Sequence, residues 1–360
     1  MKTLLLSSRD IANVVRAVGI DNLMDHVIEG IAGACRDYDD ARFEVPVRDG
    51  FSYSGESTGL VEWMPLLHTD EQVALKLVAY HPNNPKRFGL PTVLSTAICF
   101  DTESGHADCI ADATFVTSIR TGAASAIASR VLASPTSRTL GLIGAGAQAV
   151  TQLHALSRVF KLDTVLFTDT DDSTCLSFAD RVRVLGLSVT IEKRTVDDIV
   201  READIICTAT SVDVGAGPVV PDGDYKPDVH INAVGSDFPG KTELPLTLLR
   251  RSLVCPDFRA QAILEGECQQ LDESFIGPDL SSLVKRESDY SGQRDRITVF
   301  DSTGWALEDY VTVKILKSLA LEHGCGQRIQ FETVSSDPKD PFGFLDAEPP
   351  LSIVSRRQSA

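Results

Sequence analysis

Residues 139–149 read TLGLIGAGAQA. A short β-type run enters Gly144-Ala145-Gly146-Ala147-Gln148-Ala149, a GxGxxA pattern, and a helical stretch follows from Ala147. Gly144 permits a tight turn, Gly146 lets the backbone approach a pyrophosphate at a helix N-terminus, and Ala149 lets helix and strand pack closely. The next strand ends at Asp169, about 23 residues past Gly146, where a carboxylate accepts hydrogen bonds from a ribose 2′-hydroxyl. A carboxylate there repels a 2′-phosphate, and no arginine follows in Asp169-Thr170-Asp171-Asp172, so the turn predicts NAD rather than NADP. A glycine turn with no ligand is the plain alternative. The strand before, the helix after and the acidic end of the next strand weigh against it.

Outward from this turn, strand-like runs alternate with helical ones. Leu140–Ile143, Thr164–Thr168, Val189–Glu192, Ile205–Thr208, His230–Val234, Leu253–Val254 and Ile297–Phe300 read as strands. Ala147–Val159, Ser173–Leu185 and Val196–Glu202 read as the helices between them. Such alternation predicts a parallel sheet wrapped by helices. Upstream, Ala113–Leu132 reads as a helix, and residues 8–38 are apolar at helical spacing. Between them Phe43–Val47, Leu60–Met64, Val73–Val78 and Thr92–Phe100 are β-type runs separated by turn clusters, which predicts an antiparallel sheet. Residues 306–322 form a long helix expected to pack back on this first part, and the chain from Ser335 reads as extended. The terminal RRQSA resembles a basophilic phosphorylation site. The expected class is α/β: a Rossmann NAD-binding domain plus an α+β domain with a mostly antiparallel sheet.

Composition excludes several function classes. With 360 residues, 43% hydrophobic and 24% charged, the chain can bury a sizeable core without a metal or disulfide staple. The net charge of −17, from 34 basic and 51 acidic residues, repels phosphate backbones and argues against nucleic-acid partners. No apolar run approaches the ~20 residues of a membrane span. The opening MKTLLLSSRD is too short for a signal-peptide core, so a cytoplasmic protein is expected. The eight cysteines are scattered, with no CxxC and no histidines at ligand spacing. They read as reduced thiols, and no metal site is expected.

Two further constellations carry chemistry. Lys76 interrupts the apolar run VALKLVAY, and Arg120 lies in VTSIRTGAA among small residues that leave room for a ligand. Each alone reads as a surface or interface cation. Together with Arg48 they can bind one carboxylate, a guanidinium supplying bidentate geometry. The second constellation is VGSDFPGKTEL, residues 234–244, after the strand-like HINAV. Loops at the carboxyl ends of parallel strands face the ligand crevice. Asp237 there is either an acid/base or amine-binding group, or a residue that only shapes the turn.

On these residues the chain resembles the ornithine cyclodeaminase/mu-crystallin family, from Asp40 to Phe344. The motifs are Glu62-Trp63-Met64-Pro65, Lys76, His81-Pro82-x-Asn84, Arg120-Thr121, the GAGAQ turn and GSDFPGKTEL. Glu265-Gly266-Glu267-x-Gln269-Gln270, Thr298-Val299-Phe300-Asp301-Ser302, Ala306-Leu307-Glu308-Asp309-Tyr310 and Asp337-Pro338-Lys339-Asp340 resemble the ornithine cyclodeaminase branch.

The resemblance implies a homodimer of two-domain subunits acting on a small amino acid. Residues 1–120 and 312–345 would form the substrate-binding and dimerisation domain, residues 121–311 the Rossmann domain, and 346–360 a tail. The implied reaction converts L-ornithine to L-proline and ammonia. A hydride leaves the α-carbon for NAD⁺, the distal amine attacks the imine, ammonia departs, and the hydride returns to the cyclic imine. Lys76 and Arg120 match the α-carboxylate clamp, as does Arg48, with Arg42 its rival. Glu62 matches the acid near the α-amino group, and Asp237 the base that binds the distal amine. Gly144, Gly146, Ala147, Gln148, Asp169, Lys241 and Ser302 match nucleotide-contacting positions, with Thr92 and Thr117 as further candidates. Ser236 and Phe238 depart from the bacterial pattern beside Asp237, which leaves the substrate's far end open. The alternatives are a pipecolate-forming lysine cyclodeaminase, an NAD-dependent amino-acid dehydrogenase or ketimine reductase, and a non-catalytic crystallin-like binding protein.

Overall fold

Alternation along Gln72–Tyr80 sets the first sheet. Lys76 and Val78 point to a buried face, while Leu75, Leu77 and Ala79 point away and stay partly or fully exposed. A computed structural model, describing residues 1–55 and 58–346, places this strand among eight. They are β1 (Thr3–Leu6), β2 (Phe43–Glu44), β3 (Asp49–Tyr53), β4 (Gly59–His68), β5 (Gln72–Tyr80), β6 (Val93–Asp101), β7 (Ala107–Asp112) and a late strand from the other chain end. The second sheet holds β8 (Thr139–Ile143), β9 (Thr164–Thr168), β10 (Thr190–Lys193), β11 (Ile205–Thr208), β12 (His230–Ala233), β13 (Leu253–Pro256) and β14 (Thr298–Asp301). The late strand is β15 (Gln327–Ile329).

The first sheet runs β15-β1-β7-β6-β5-β4-β2, with β3 also paired to β4. It is antiparallel except where β1 lies parallel to β7. The antiparallel expectation therefore holds for its centre and not for β1. Strands β1, β3, β7 and β15 are absent from the sequence reading, being short or strongly polar. Residues 8–38 are two helices, Ser8–Val18 and Ile20–Asp37, broken at Gly19. A capping box fixes the start of the first: Asp10 N–H donates to the Ser7 hydroxyl, and Asp10 Oδ2 accepts from Ser7 N–H at 2.9 Å. Beyond Ser335 the chain includes a 3₁₀ turn at Gly343–Asp346 rather than running wholly extended. The RRQSA motif lies outside the described residues.

The second sheet is wholly parallel, in the order β10-β9-β8-β11-β12-β14-β13. Its switch point lies between β8 and β11, which leave in opposite directions around the sheet, so a crevice opens at their carboxyl ends. Among the described residues, no helix is long and apolar enough to cross a membrane.

Helix Thr114–Leu132 joins the two sheets. It packs on helices Ile20–Asp37, Ala147–Val159 and Ala306–Glu322 and also touches β6, β12 and β14. That encirclement explains its composition, rich in Ala, Ser, Thr and Gly with buried residues on every face. The helix runs unbroken across the expected boundary at 120/121, and Ala306–Glu322 runs unbroken across 311/312. The two parts thus share helices rather than meeting at a linker.

Gly122 sets the closest approach in this stack. A Cβ there would lie 2.5 Å from the Thr151 carbonyl oxygen on helix Ala147–Val159. Gly122→Ala forces those backbones apart, an overpacking cost of about 1–3 kcal/mol. A clear fall in the urea unfolding midpoint is expected; an unchanged midpoint would mean the two helices are free to slide.

Candidate active site

Two charged clusters lie within electrostatic reach of one another, since both Arg48 and Lys76 act on Glu62. Lys76, on the inward face of β5, is 3% exposed, and its Nζ donates to Asp309 Oδ2 at 2.6 Å. Arg120, in the second turn of helix Thr114–Leu132, donates from Nε to Asp309 Oδ1 at 3.1 Å and from Nη1 to Glu308 Oε2 at 2.9 Å. Asp309 therefore bridges the two cations with one oxygen each. Burial pushes Lys76 down to about 8, against the attraction of Asp309. Burial also works against the charge on Arg120, but Asp309, Glu308 and Asp257 more than restore it, and its pKa rises. Glu308 is fully buried and pushed up to about 8 by that burial, with Arg120 opposing.

Arg48 precedes β3 and ties the first sheet to loops of the second. Its backbone N–H donates to Gln261 Oε1 at 3.0 Å and its Nη2 to the Asp237 carbonyl at 2.8 Å. The guanidinium also pairs with Glu265, and Glu62 on β4 lies 3.9 Å away. Arg42, the rival, stands against His68 and Asp39, outside this cluster. Burial raises the pKa of Glu62; Arg48 opposes the rise, and the Asp237 charge adds to it.

Asp237 sits in the loop after β12, and Lys241 Nζ donates to its Oδ1 at 2.6 Å. The Lys241 ammonium also lies 5.6 Å from the Tyr80 ring centroid. Burial alone would lower its pKa; Asp237 reverses the sign. Lys241 was expected at the nucleotide, and in the structure its bond is to Asp237. The neighbouring departures have structural consequences of their own: Ser236 is fully buried, and its hydroxyl donates to the Lys241 carbonyl at 2.6 Å.

At the β8 turn the two glycines differ. Gly144 has φ +90, and a Cβ there would meet the Ala209 carbonyl at 2.5 Å, so the fold itself requires glycine. Gly146 has φ −72, and a Cβ would meet nothing within 4 Å. The space over Gly146 is open, and helix Ala147–Val159 starts there without a side-chain cap. Its first-turn N–H groups have no acceptor within the helix, as an anion site requires. Asp169 follows β9, and its oxygens accept from Ala145 N–H at 2.7 Å and Asp171 N–H at 2.9 Å. One lone pair on each oxygen is left over. The Gln148 amide oxygen accepts from the Thr151 hydroxyl at 3.1 Å. Ser302, after β14, carries a buried hydroxyl without a hydrogen-bond partner among the described residues. Open space, uncapped amides and an orphan hydroxyl at one crevice fit a dinucleotide.

Thr117 lies one turn before Arg120, its hydroxyl donating to the Ala113 carbonyl at 2.9 Å and bonded to Ser95 Oγ. Thr92 stands outside these clusters, on the β5–β6 connection, its carbonyl bonded to His81 N–H at 2.8 Å. Sequence reasoning missed Gln261, Glu265, Glu308 and Asp309 as partners of the cations. It also missed Glu243, whose buried carboxylate accepts from the Thr208 and Thr210 hydroxyls and the Gly235 N–H, fixing the loops after β11 and β12. The available signal was an acidic pair opening an apolar helix, and acids within the EGE motif.

Comparison with known proteins agrees with this architecture. An L-lysine cyclodeaminase of Streptomyces rapamycinicus is 42% identical over 345 residues, 96% of this chain and 100% of that protein. An ornithine cyclodeaminase of Brucella suis is 32% identical over 294 residues, 81% of this chain and 80% of that protein. A solved structure concerning recognition of L-lysine, L-ornithine and L-2,4-diaminobutyric acid by lysine cyclodeaminase has a TM-score of 0.92. It is 46% identical and covers 96% of this chain and 100% of its own. An archaeal alanine dehydrogenase dimer with bound NAD has a TM-score of 0.81 at 30% identity, covering 92% of this chain and 100% of its own. The family model named ornithine cyclodeaminase/mu-crystallin matches residues 9–324. By that match and these full-length likenesses, the chain belongs to the ornithine cyclodeaminase/mu-crystallin family.

Proposed function

We propose that this protein is an NAD-dependent lysine cyclodeaminase, converting L-lysine to L-pipecolate and ammonia. The resemblance of motifs alone put ornithine first. The 42% identity to a lysine cyclodeaminase, against 32% to an ornithine cyclodeaminase, favours the longer substrate. The observation that carries a diamine reading is a pair of acids: Asp237, held by Lys241, stands close enough to Glu62 for its charge to raise the Glu62 pKa. Two neighbouring carboxylates offer one partner to each amine of a diamine.

Lys76 and Arg120 hold the α-carboxylate in this reading. Lys76 spends one of its three donors on Asp309, and Arg120 keeps N–H groups beyond those given to Asp309 and Glu308. Arg48 completes the clamp from the side of Glu62. Bound NAD supplies a reversible two-electron acceptor for the α-carbon, so net redox is zero. The Gly146, Ala147 and Gln148 N–H groups would hold its pyrophosphate, with Gly144 shaping the turn, and Asp169 would bind a ribose. The orphan Ser302 hydroxyl would bond to the cofactor as well, whereas Thr117 and Thr92 are held by Ser95, Ala113 and His81.

Asp237 receives the distal amine. An ammonium of pKa about 10.4 has no lone pair for attack until it loses a proton. Asp237 takes that proton while Lys241 keeps its carboxylate oriented. Glu62, whose pKa burial raises, is the acid that hands a proton to departing ammonia. Fixing carboxylate and distal amine at once brings the two ends of a flexible chain into range for ring closure.

A homodimer and a cytoplasmic setting belong to the same proposal. The outer face of the first sheet carries Val61, Trp63, Leu75, Leu77, Leu94 and Ile98, partly or fully exposed. An apolar face of that extent marks an association surface. All eight cysteines are unpaired.

Four outcomes test this reading. Incubated with L-lysine and substoichiometric NAD⁺, the protein should yield pipecolate and ammonia in equal amounts, exceeding the NAD⁺ supplied, and faster than proline from L-ornithine. Asp237→Asn should cut that rate about 100-fold or more. Faster proline formation moves the assignment to ornithine, and accumulating NADH without ring formation sinks cyclodeamination. Because Lys76 keeps its proton below about pH 8 and loses it above, KM for lysine should climb at alkaline pH. Lys76→Arg, which does not titrate there, should keep KM low at pH 9; the same climb in both proteins removes Lys76 from the clamp. Leu77→Arg should convert dimer to monomer in sedimentation velocity, whereas an intact dimer would place the interface elsewhere.

A further inference from the structure

We propose that Arg181 is the positioning residue that aims the N–H groups of the glycine turn at the cofactor pyrophosphate. The inference rests on the NAD reading above. Arg181 lies in the last turn of helix Asp172–Val182, with its guanidinium 5.4 Å from the Phe178 ring centroid. Its Nη2 donates to the Ala145 carbonyl at 2.6 Å and the Thr174 carbonyl at 2.9 Å. Nη1 donates to the Gly146 carbonyl at 3.3 Å, and Nε to Ser177 Oγ at 3.3 Å.

The consequence follows from peptide geometry. In a trans peptide the C=O of one residue and the N–H of the next point in opposite directions. Pulling the Ala145 and Gly146 carbonyls toward Arg181 therefore turns the N–H groups of Gly146 and Ala147 away from it. Asp169 meanwhile holds the Ala145 N–H at 2.7 Å. Three consecutive peptide planes are thus fixed from outside the turn, one by Asp169 and two by Arg181. The donors left over face the open space above Gly146, where an added Cβ would meet nothing within 4 Å. A planar fork is needed for this, because two carbonyls of adjacent residues are held together; a lysine ammonium supplies charge without that geometry. The cation also sits behind the turn, where its charge favours the same anion.

The test measures affinity rather than turnover alone. NAD⁺ and ADP-ribose are titrated calorimetrically into the full-length wild type, Arg181→Gln and Arg181→Lys, and kcat is measured at saturating NAD⁺. Arg181→Gln should weaken both ligands equally, by about 10- to 100-fold, with kcat unchanged. Arg181→Lys should fall between that variant and the wild type, and it carries the test if the glutamine variant does not fold. Wild-type affinity in Arg181→Lys overturns the inference. So does a loss for NAD⁺ without a loss for ADP-ribose, since both contain the pyrophosphate, or a fall in kcat with affinity intact. A wild type that binds neither ligand instead defeats the NAD reading itself.

Discussion

Burying Arg120 commits this fold to the carboxylates around it. Arg120 is 5% exposed, and Glu308 and Asp309 face it at 2.9 and 3.1 Å, with Asp257 contributing a further negative charge nearby. A guanidinium taken out of water costs several kcal/mol unless such partners repay it. The partners come from distant chain segments, so the charge can be buried only when those segments have met. Helix Thr114–Leu132 carries the cation, and helix Ala306–Glu322 carries the acids in its first turn. Lys76 reaches the same Asp309 from β5. The cluster of Lys76, Arg120 and Asp309 is therefore assembled by the fold where β5 and both helices converge, and any slip of one helix disturbs two cations together.

Local chemistry explains what was legible beforehand. The β8 turn, Asp169 and the strand–helix alternation are readable because each depends on neighbours within a few residues. Helix Ala306–Glu322 coincides with the predicted stretch because its apolar pattern is continuous. What escaped depends on long-range pairing. Asp309 meets Lys76 across 233 residues, and Arg48 meets Glu265 from another element altogether. An acid opening a helix reads locally as a macrodipole partner; only the tertiary fold turns it toward a buried cation. Strand β1 escaped for a related reason, since its parallel partner β7 lies about a hundred residues downstream.

The two glycines of the turn separate structural need from ligand need. Gly144 is required by the protein alone, since a side chain there collides with the Ala209 carbonyl. Gly146 is not, because a Cβ finds room in the folded chain. A residue that costs backbone entropy and relieves no contact calls for a reason outside the polypeptide. The buried Ser302 hydroxyl makes the same point from another strand, since an unpartnered buried donor is unfavourable until something accepts from it.

The acids at the far end have a comparable logic. Glu265 pairs with the Arg48 guanidinium and Glu62 lies 3.9 Å from it, while Lys241 holds the Asp237 carboxylate. Burial raises Glu62, Arg48 opposes the rise and the Asp237 charge adds to it; Arg48 is fixed in turn by Gln261 and the Asp237 carbonyl. On the proposed reading each amine of the substrate meets one of two acids, Glu62 and Asp237, and a substrate with a single amine leaves one of them without its partner. Those two acids then select a diamine, while selectivity between diamines depends on length. One methylene is worth only about 1–3 kcal/mol in a binding pocket. On that reading the charge pattern accommodates lysine and ornithine alike, and the preference between them rests on the span between the Lys76–Arg120 pair and Asp237.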